Sequence, residues 1–450
     1  MTTFPRISTT TIGRHKDAPR VWLEGRYLLD AGFEPSNRIE VEFKKQQVII
    51  RLAKDGRRVV SSKRQGQIPV LDLNSAALSE AFGPITTLQV HIAIGQIILT
   101  PSHTDILRAT RCRNGKEGSI YSGAGLLTEA ARLAGYQPAF AIEINPQYAD
   151  IYEKNHTAQM FNLSVENAPI DALPPVELLT MGIPCEPYSL ARAKRDRSLP
   201  PEAHTLSDLT IWSAHIIRTL NPATVVIEQA PGYLTSGAGY MMQHFLKRVG
   251  YSVEARVLDP RDYGELTARR RSVIVAHSGS HFRWPQPSSS QATFADIRDD
   301  ESTLQDQYFT AETKPWLVNH WKAQVAKGNG FTSAQLSDNS TSVPCITKRY
   351  MAGQGTGAVV KNRNRENRWR WLTLNEIRKL HRIPESYQLS DTSKTVSGEA
   401  IGQGVIVSLF QRIIEATRTF GNFPAHLYNA INSESATEFS TLSQLDFAFL

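Results

Sequence analysis

Cysteine is scarce. Only Cys112, Cys185 and Cys345 occur in 450 residues, too few and too scattered for a disulfide framework or a four-ligand zinc site. A reducing, cytoplasmic setting is therefore expected, with no metal. No run of eighteen apolar residues occurs, which argues against a membrane-spanning helix. The opening segment, Met1 to Ser8, lacks the apolar core of a secretory signal. Internal repeats are absent. Acidic residues are in deficit: 43 Asp and Glu face 50 Lys and Arg, for a net charge of +7. That balance suits a polyanionic partner, because phosphate contacts release counterions, although a solvated basic surface would give the same count. The remaining composition, 41% hydrophobic, is that of a globular chain long enough for more than one domain.

Residues 1–18 are polar and lack periodicity, so a flexible tail is expected there. Residues 19–102 read as a β-rich unit. Arg38-Ile-Glu-Val-Glu-Phe43 and Gln47-Val-Ile-Ile-Arg-Leu52 alternate or run apolar across a short turn, as a hairpin does. Leu88–Leu99 alternates again around Ile94-Gly95-Gln96, and a helix capped by Asn74 is expected near Phe82. From about residue 113 to 279 the pattern changes to apolar strands separated by helical stretches. Strands are expected from Gly118, at Ala139–Glu143, Val176–Met181, Thr224–Glu228 and Ser272–Ala276, with helices at Leu126–Ala134, Tyr148–Asn155 and Leu209–Thr219. This is the signature of an α/β fold with a doubly wound, mostly parallel sheet. Residues 280–371 are rich in polar residues and Trp and read as an inserted recognition region. Residues 372–421 become helical again and return to the main domain, and 422–450 form a tail.

Ligands of doubly wound sheets sit at the carboxyl ends of the strands. Three features fall there. The turn Tyr121-Ser122-Gly123-Ala124-Gly125, opening a helix at Leu126, lets the backbone approach a ligand closely. Glu143 ends the next strand, where a carboxylate can grip ribose hydroxyls. Together they favour a nucleoside cofactor, although small-residue turns and surface glutamates also occur without ligands. The third feature is Pro184-Cys185-Glu186-Pro187-Tyr188-Ser189. A cysteine in a Pro-flanked loop after a strand is a candidate nucleophile, against the commoner case of an inert cysteine. Ser189, Arg192, Lys194, Arg195 and Arg197 continue the loop. Its positive charge can hold phosphates and favour a thiolate.

In order and spacing, these segments resemble the DNA (cytosine-5-)-methyltransferase family over residues 117–420. The resemblance implies a class I S-adenosylmethionine-dependent fold with a smaller target-recognition domain. It implies S-adenosylmethionine bound by residues 121–126, Glu143, Ile144, Pro184, Glu399 and Ala400. Pro184-Cys185 matches the catalytic Pro-Cys, Glu228 the glutamate that holds the base, and Arg269 and Arg271 the paired arginines after it. Ser342-Val-Pro-Cys-Ile-Thr347 resembles the close of the recognition region, which puts Lys348 and Arg349 beside double-stranded DNA. Leu372–Leu380 and Gly398–Gly402 resemble the ninth and tenth motifs. The implied chemistry is addition of the Cys185 thiolate at cytosine C6, methyl transfer to C5 of a flipped-out base, and release of the thiolate. Arg271 would contact the base O2, and Arg269 would support Glu228 or a phosphate. The loop at 186–200 would act as a lid.

The chain departs from the family pattern in several places. Ser119 stands for Asp, Tyr121 for Phe, Ile144 for an aromatic residue, Glu186 and Tyr188 for Gln and Phe, Gln229-Ala230 for Asn-Val, Thr267 for Gln and Glu399 for Asn. Ser164 or Glu166 stands near the place of an adenine-binding Asp. Divergence on the donor side leaves open a DNA-binding regulator with a degenerate fold, a modified donor such as carboxy-S-adenosylmethionine, and an RNA substrate. Residues 20–102 resemble SymE-like units of the AbrB superfamily, in Pro19–Gly25 and Ala31–Pro35. The expected partner is DNA, with no membrane or metal and a nucleoid-associated location. The oligomeric state is open, with a monomer preferred.

Overall fold

The computed structural model describes residues 6–63, 67–189, 198–278, 282–289, 292–328, 333–355, 357–391 and 393–418. It divides into two compact units at Thr110/Arg111.

The first unit is a nine-stranded antiparallel sheet. Its strands are β1 (Arg6–His15), β2 (Ala18–Glu24), β3 (Arg38–Lys44), β4 (Gln47–Leu52), β5 (Arg58–Val59), β6 (Ser61–Lys63), β7 (Ile68–Asn74), β8 (Thr87–Ala93) and β9 (Gln96–Pro101), ordered β5-β3-β4-β9-β8-β1-β2-β7-β6. The two expected hairpins are present as β3–β4 and β8–β9. Alternate residues such as Leu88, Val90 and Ile92 are buried, together with Val21, Phe33, Ile50 and Leu73.

The expected tail is corrected. Residues 6–15 are a ten-residue strand paired to β8 on one side and β2 on the other. Most of its side chains are exposed, so burial writes no alternation into its sequence. β-Branched Ile7, Thr9, Thr10, Thr11 and Ile12 favour the extended backbone, and pairing on both edges holds it. The helix after β7 begins at Ala77, with no side-chain cap. Asn74 is instead the last residue of β7. The unit also runs past residue 102: Ser102 caps a helix at His103–Ala109 by accepting from the Asp105 amide. Asp105 in turn accepts the Thr86 and Thr87 amides at 3.0 and 2.5 Å.

The second unit is built on seven strands: β10 (Lys116–Ile120), β11 (Gln137–Ile142), β12 (Gln159–Phe161), β13 (Leu178–Gly182), β14 (Thr224–Gln229), β15 (Ser252–Leu258) and β16 (Arg271–His277). Their order is β12-β11-β10-β13-β14-β16-β15. The first five are parallel, and β16 runs antiparallel between β14 and β15. Strand residues alternate between two cores. Leu178, Val226, Val273 and Val275 pack with helices Leu126–Leu133 and Val407–Arg418. Leu179, Val225, Ile227 and Ile274 pack with helices Leu209–Leu220 and Gly237–Arg248. The sheet order reverses beside β10, which opens a crevice at the carboxyl ends of β10, β11, β13 and β14.

Residues 294–371 contain a helix, Pro315–Ala326, that the sequence pattern did not suggest, and a sheet of β17 (Gln335–Leu336), β18 (Val359–Lys361) and β19 (Trp369–Trp371). Phe309, Trp321, Trp369 and Trp371 cluster around them. Arg370 on β19 forms a fully buried two-pronged pair with Glu376 at 2.7 and 2.6 Å. Glu376 also closes the capping box of helix Leu374–Leu380, so one carboxylate ties this small sheet to the main body.

Candidate active site

The β10 turn is forced into an unusual conformation. Tyr121 has φ +54°, a left-handed value that costs a non-glycine residue energy. Its hydroxyl donates to Leu209 O at 3.1 Å, which holds the turn against helix Leu209–Leu220. Gly125 has φ +83°, and a Cβ there would lie 2.7–2.9 Å from the Tyr152 and His156 rings. Beneath the turn, fully buried Glu117 accepts from Thr180 at 2.5 Å and Thr128 at 3.2 Å. Burial pushes its carboxyl up to about 7.

Glu143 ends β11 beside this turn. Its carboxylate accepts the Gly123 amide at 2.7 Å and the Asn145 amide at 2.8 Å. Burial raises it, against those hydrogen bonds. Next to it Ile144 is 68% exposed and offers an apolar shelf. The buried Ser122 hydroxyl has no partner among the described residues. These groups line a pocket of about 420 Å³ whose other end is Cys185, Glu228 and Arg271.

Cys185 follows β13 and its thiol opens to this pocket. Gln229 braces its loop, donating to Ile183 O at 3.1 Å and Pro184 O at 2.8 Å. The expected help to the thiolate is not what the described residues provide. Desolvation, Glu186 and Glu228 raise the thiol, while Arg271 and Arg269 pull it down less strongly. Arg192, Lys194, Arg195 and Arg197 lie outside the described residues.

Glu228 at the end of β14 is 7% exposed and pairs with Arg271 Nε at 2.7 Å. Burial works against the Arg271 charge, but Glu228 and the two sulfurs, Cys345 and Cys185, keep it above its ordinary value. Arg269 supports Glu228 through its charge, while its hydrogen bonds go elsewhere, to Ile346 O at 3.1 Å and Cys345 Sγ at 3.4 Å. Burial, with Arg271 beside it, lowers its pKa. Its partners come from residues 343–346, which run alongside Leu266–Ala268 through the Val343 backbone. The segments resembling the arginine motif and the end of the recognition region are thus fastened together.

Helix Lys394–Gln403 packs on the next residues. A Cβ on Gly402 would lie 2.7 Å from the Thr347 backbone. Ala400 lines the pocket as expected, but Glu399 is turned toward Tyr148 at 3.5 Å, and Gln403 takes a place on the wall. Pro184, Ser164, Glu166 and Lys348 also line it. Arg349 is exposed and Ser189 half-buried. Arg363, between β18 and β19, is held by Asp338 at 2.8 Å. Sequence reasoning missed Tyr148, Leu163, Leu206, Leu209 and Gln403. Of these only Gln403 had a signal, lying on the same helical face as Ala400.

Residues 116–418 match the family model for C-5 cytosine-specific DNA methylases. Among curated relatives, type II methyltransferase M.DsaV of Dactylococcopsis salina is 24% identical over 66% of this chain and 84% of its own length. A Schizosaccharomyces pombe tRNA (cytosine(38)-C(5))-methyltransferase is 24% identical over 66% of this chain and 96% of its own length. The crystal structure of S. pombe Dnmt2 methyltransferase superimposes with a TM-score of 0.54 at 21% identity, covering 68% of this chain and 99% of that one. The first 115 residues lie outside the family match.

Proposed function

The chain belongs to the C-5 cytosine-specific DNA methylase family, and on that premise we propose that it methylates C5 of a flipped-out cytosine in double-stranded DNA, with S-adenosylmethionine as donor. One observation carries this reading: a single pocket joins the Gly123–Glu143 end to Cys185, Glu228 and Arg271. The donor residues fit the group. Glu143, beside the Gly123 amide, suits ribose hydroxyls. Exposed Ile144 offers an apolar face to adenine, and the unpartnered Ser122 hydroxyl needs a polar ligand. When bound, S-adenosylmethionine supplies the methyl group. Cys185 adds to cytosine C6 and makes C5 nucleophilic. Glu228 faces the base N3 and N4, and Arg271 orients both Glu228 and the base O2. Because burial first, and the Glu186 and Glu228 charges after it, raise the free thiol, thiolate formation relies on Arg271 and Arg269 and on the bound substrate.

Purified protein with tritiated S-adenosylmethionine should label duplex DNA, and Cys185→Ser should abolish the label. Donor binding by calorimetry without label in any nucleic acid would refute the reading. Label in tRNA alone would change the polymer and keep the chemistry. Absence of donor binding would favour a DNA-binding regulator.

The β-rich first unit carries fifteen Lys and Arg against ten Asp and Glu in residues 1–110, which supports a second contact with the DNA backbone. Its SymE-like resemblance supports the same role. Charge reversal at Arg14, Lys16 and Lys45 should weaken DNA binding and flatten its salt dependence. An unchanged salt slope would exclude the unit from the interface.

A further inference from the structure

The proposed reaction leaves one proton without an acceptor. Once C5 carries both the methyl group and its original hydrogen, that hydrogen must leave before the ring double bond can re-form and Cys185 can depart. The acceptor has to stand on the sulfur's side of the ring, because donor and thiol approach opposite faces and the entering methyl pushes the hydrogen toward the sulfur. Of the pocket's other carboxylates, Glu166 lies on the turn Val165–Asn167 and acts on Tyr121 of the donor turn, and the remaining two are engaged elsewhere. Glu228 is paired with Arg271 at 2.7 Å. Glu143 is held by the Gly123 and Asn145 amides at the donor end.

Glu186 meets the requirement. It directly follows Cys185 on the same loop and lines the same pocket. Among neighbouring charges it acts on the Cys185 sulfur more strongly than Glu228 does. Lys348 Nζ lies 3.7 Å from its carboxylate, and Glu186 is 45% exposed, so a captured proton can pass to water. An amide at this position, as in the family pattern, has no such capacity. We propose that Glu186 is the general base that removes the C5 proton, an assignment that rests on the methyltransferase reading above. The carboxylate oxygen takes the proton, the C5–H electron pair becomes the C5=C6 bond, and the C6–S bond breaks with its electrons leaving on Cys185 as thiolate. No oxidant or further reactant is needed.

The test uses the full-length protein and duplex DNA tritiated at cytosine C5. Glu186→Gln should slow tritium release by about 10²-fold or more, with Glu186→Asp intermediate. Exchange of C5 tritium into water without the donor passes through the same proton removal and should fall by the same factor. On ordinary DNA the Gln variant should accumulate a denaturant-stable protein–DNA adduct that already carries the methyl group. On 5-fluorocytosine DNA, which has no C5 proton to remove, it should trap the adduct at the parental rate or faster, because the lost Glu186 charge no longer raises the Cys185 thiol. Parental tritium release in Glu186→Gln, or trapping that slows in parallel with turnover, would overturn the assignment. A parent protein that neither releases tritium nor traps DNA would overturn the methyltransferase reading itself, and the assignment with it.

Discussion

Replacing Glu228 by Gln should damage stability and catalysis by separable amounts. Glu228 and Arg271 meet at 2.7 Å with side chains only 9% and 18% exposed, and Arg269 is buried close by. Gln keeps the shape and one acceptor but removes the charge that compensates two guanidiniums. Breaking a buried pair by removing one partner costs about 3–5 kcal/mol. In a unit of this size that lowers the melting temperature by on the order of 10 °C. The catalytic loss has a different origin. Without a carboxyl at the base edge, single-turnover methyl transfer should fall by about 10²–10⁴-fold.

The double variant Glu228→Gln/Arg271→Gln separates the two effects. Removing the stranded guanidinium should recover about 1–3 kcal/mol of stability and none of the activity. Thermal denaturation and single-turnover transfer, the latter well below every melting point, would measure both. A Glu228→Gln protein melting within about 2 °C of the parent would refute the uncompensated-charge argument. So would a double variant no more stable than the single. A transfer rate within about tenfold of the parent would remove Glu228 from the base-binding role.

Gln229→Ala should slow formation of the covalent DNA adduct by about 10- to 100-fold, as two loop carbonyls lose a buried donor worth about 1–3 kcal/mol, while donor affinity measured by calorimetry stays unchanged. Gly125→Ala should weaken S-adenosylmethionine binding at least tenfold by calorimetry, because a Cβ meets the Tyr152 and His156 rings at 2.7–2.9 Å in a left-handed backbone. Glu117 is pushed up to about 7 from 4.5 by burial, so its neutral form favours the fold. The stability it contributes is full below about pH 4.5 and lost as pH rises through 7. Glu117→Gln should therefore match the parent near pH 5 and exceed it by up to about 3 kcal/mol at pH 8 in urea unfolding, whereas a pH-independent difference would count against the buried charge.

The doubly wound sheet was legible because parallel strands covered on both faces read as continuous apolar runs, as in Val225-Val226-Ile227. β12, with three residues, is too short to show a pattern, whereas β15 alternates Val253, Ala255 and Val257 with polar residues, as β3 does, and was legible by the same signal though it was not read. β1 was illegible because backbone pairing rather than side-chain burial determines it. The helix Pro315–Ala326 was hidden by its composition: Trp, His, Asn and Gln do not trace a clean apolar stripe, and only Leu317 and Trp321 are buried. At the site, Glu143, Cys185 and Glu228 were legible because each lies at or just past the carboxyl end of a strand, and Arg271, the first residue of β16, was legible through the family resemblance. The partner of Arg269 was not, since it lies 77 residues away on a segment whose only mark was its own motif.

The departures from the family pattern look like decay when taken one residue at a time, but the structure gives several of them a function. Gln229 stands where Asn is usual, and its longer side chain reaches two carbonyls of the nucleophile loop. Tyr121 stands for Phe and adds a hydroxyl that anchors the strained turn to Leu209. Ser119 stands for Asp, yet the strand still carries a carboxyl two residues earlier. Glu117 and Ser119 point the same way along β10, and both bond Thr180. A site losing its chemistry would leave such polar groups unpaired, because nothing would maintain costly burial. Here Gln229, Tyr121 and Ser119 are bonded and Ile144 and Glu186 face the pocket, the Tyr188 and Thr267 hydroxyls are buried without a partner among the described residues, and the reacting end retains its thiol, carboxylate and guanidinium. The bonds made by Gln229, Tyr121 and Ser119 support a working enzyme with a reshaped donor wall over a degenerate one, and the site's novelty lies at Ile144 and Glu186, two substitutions whose exposed side chains line the pocket.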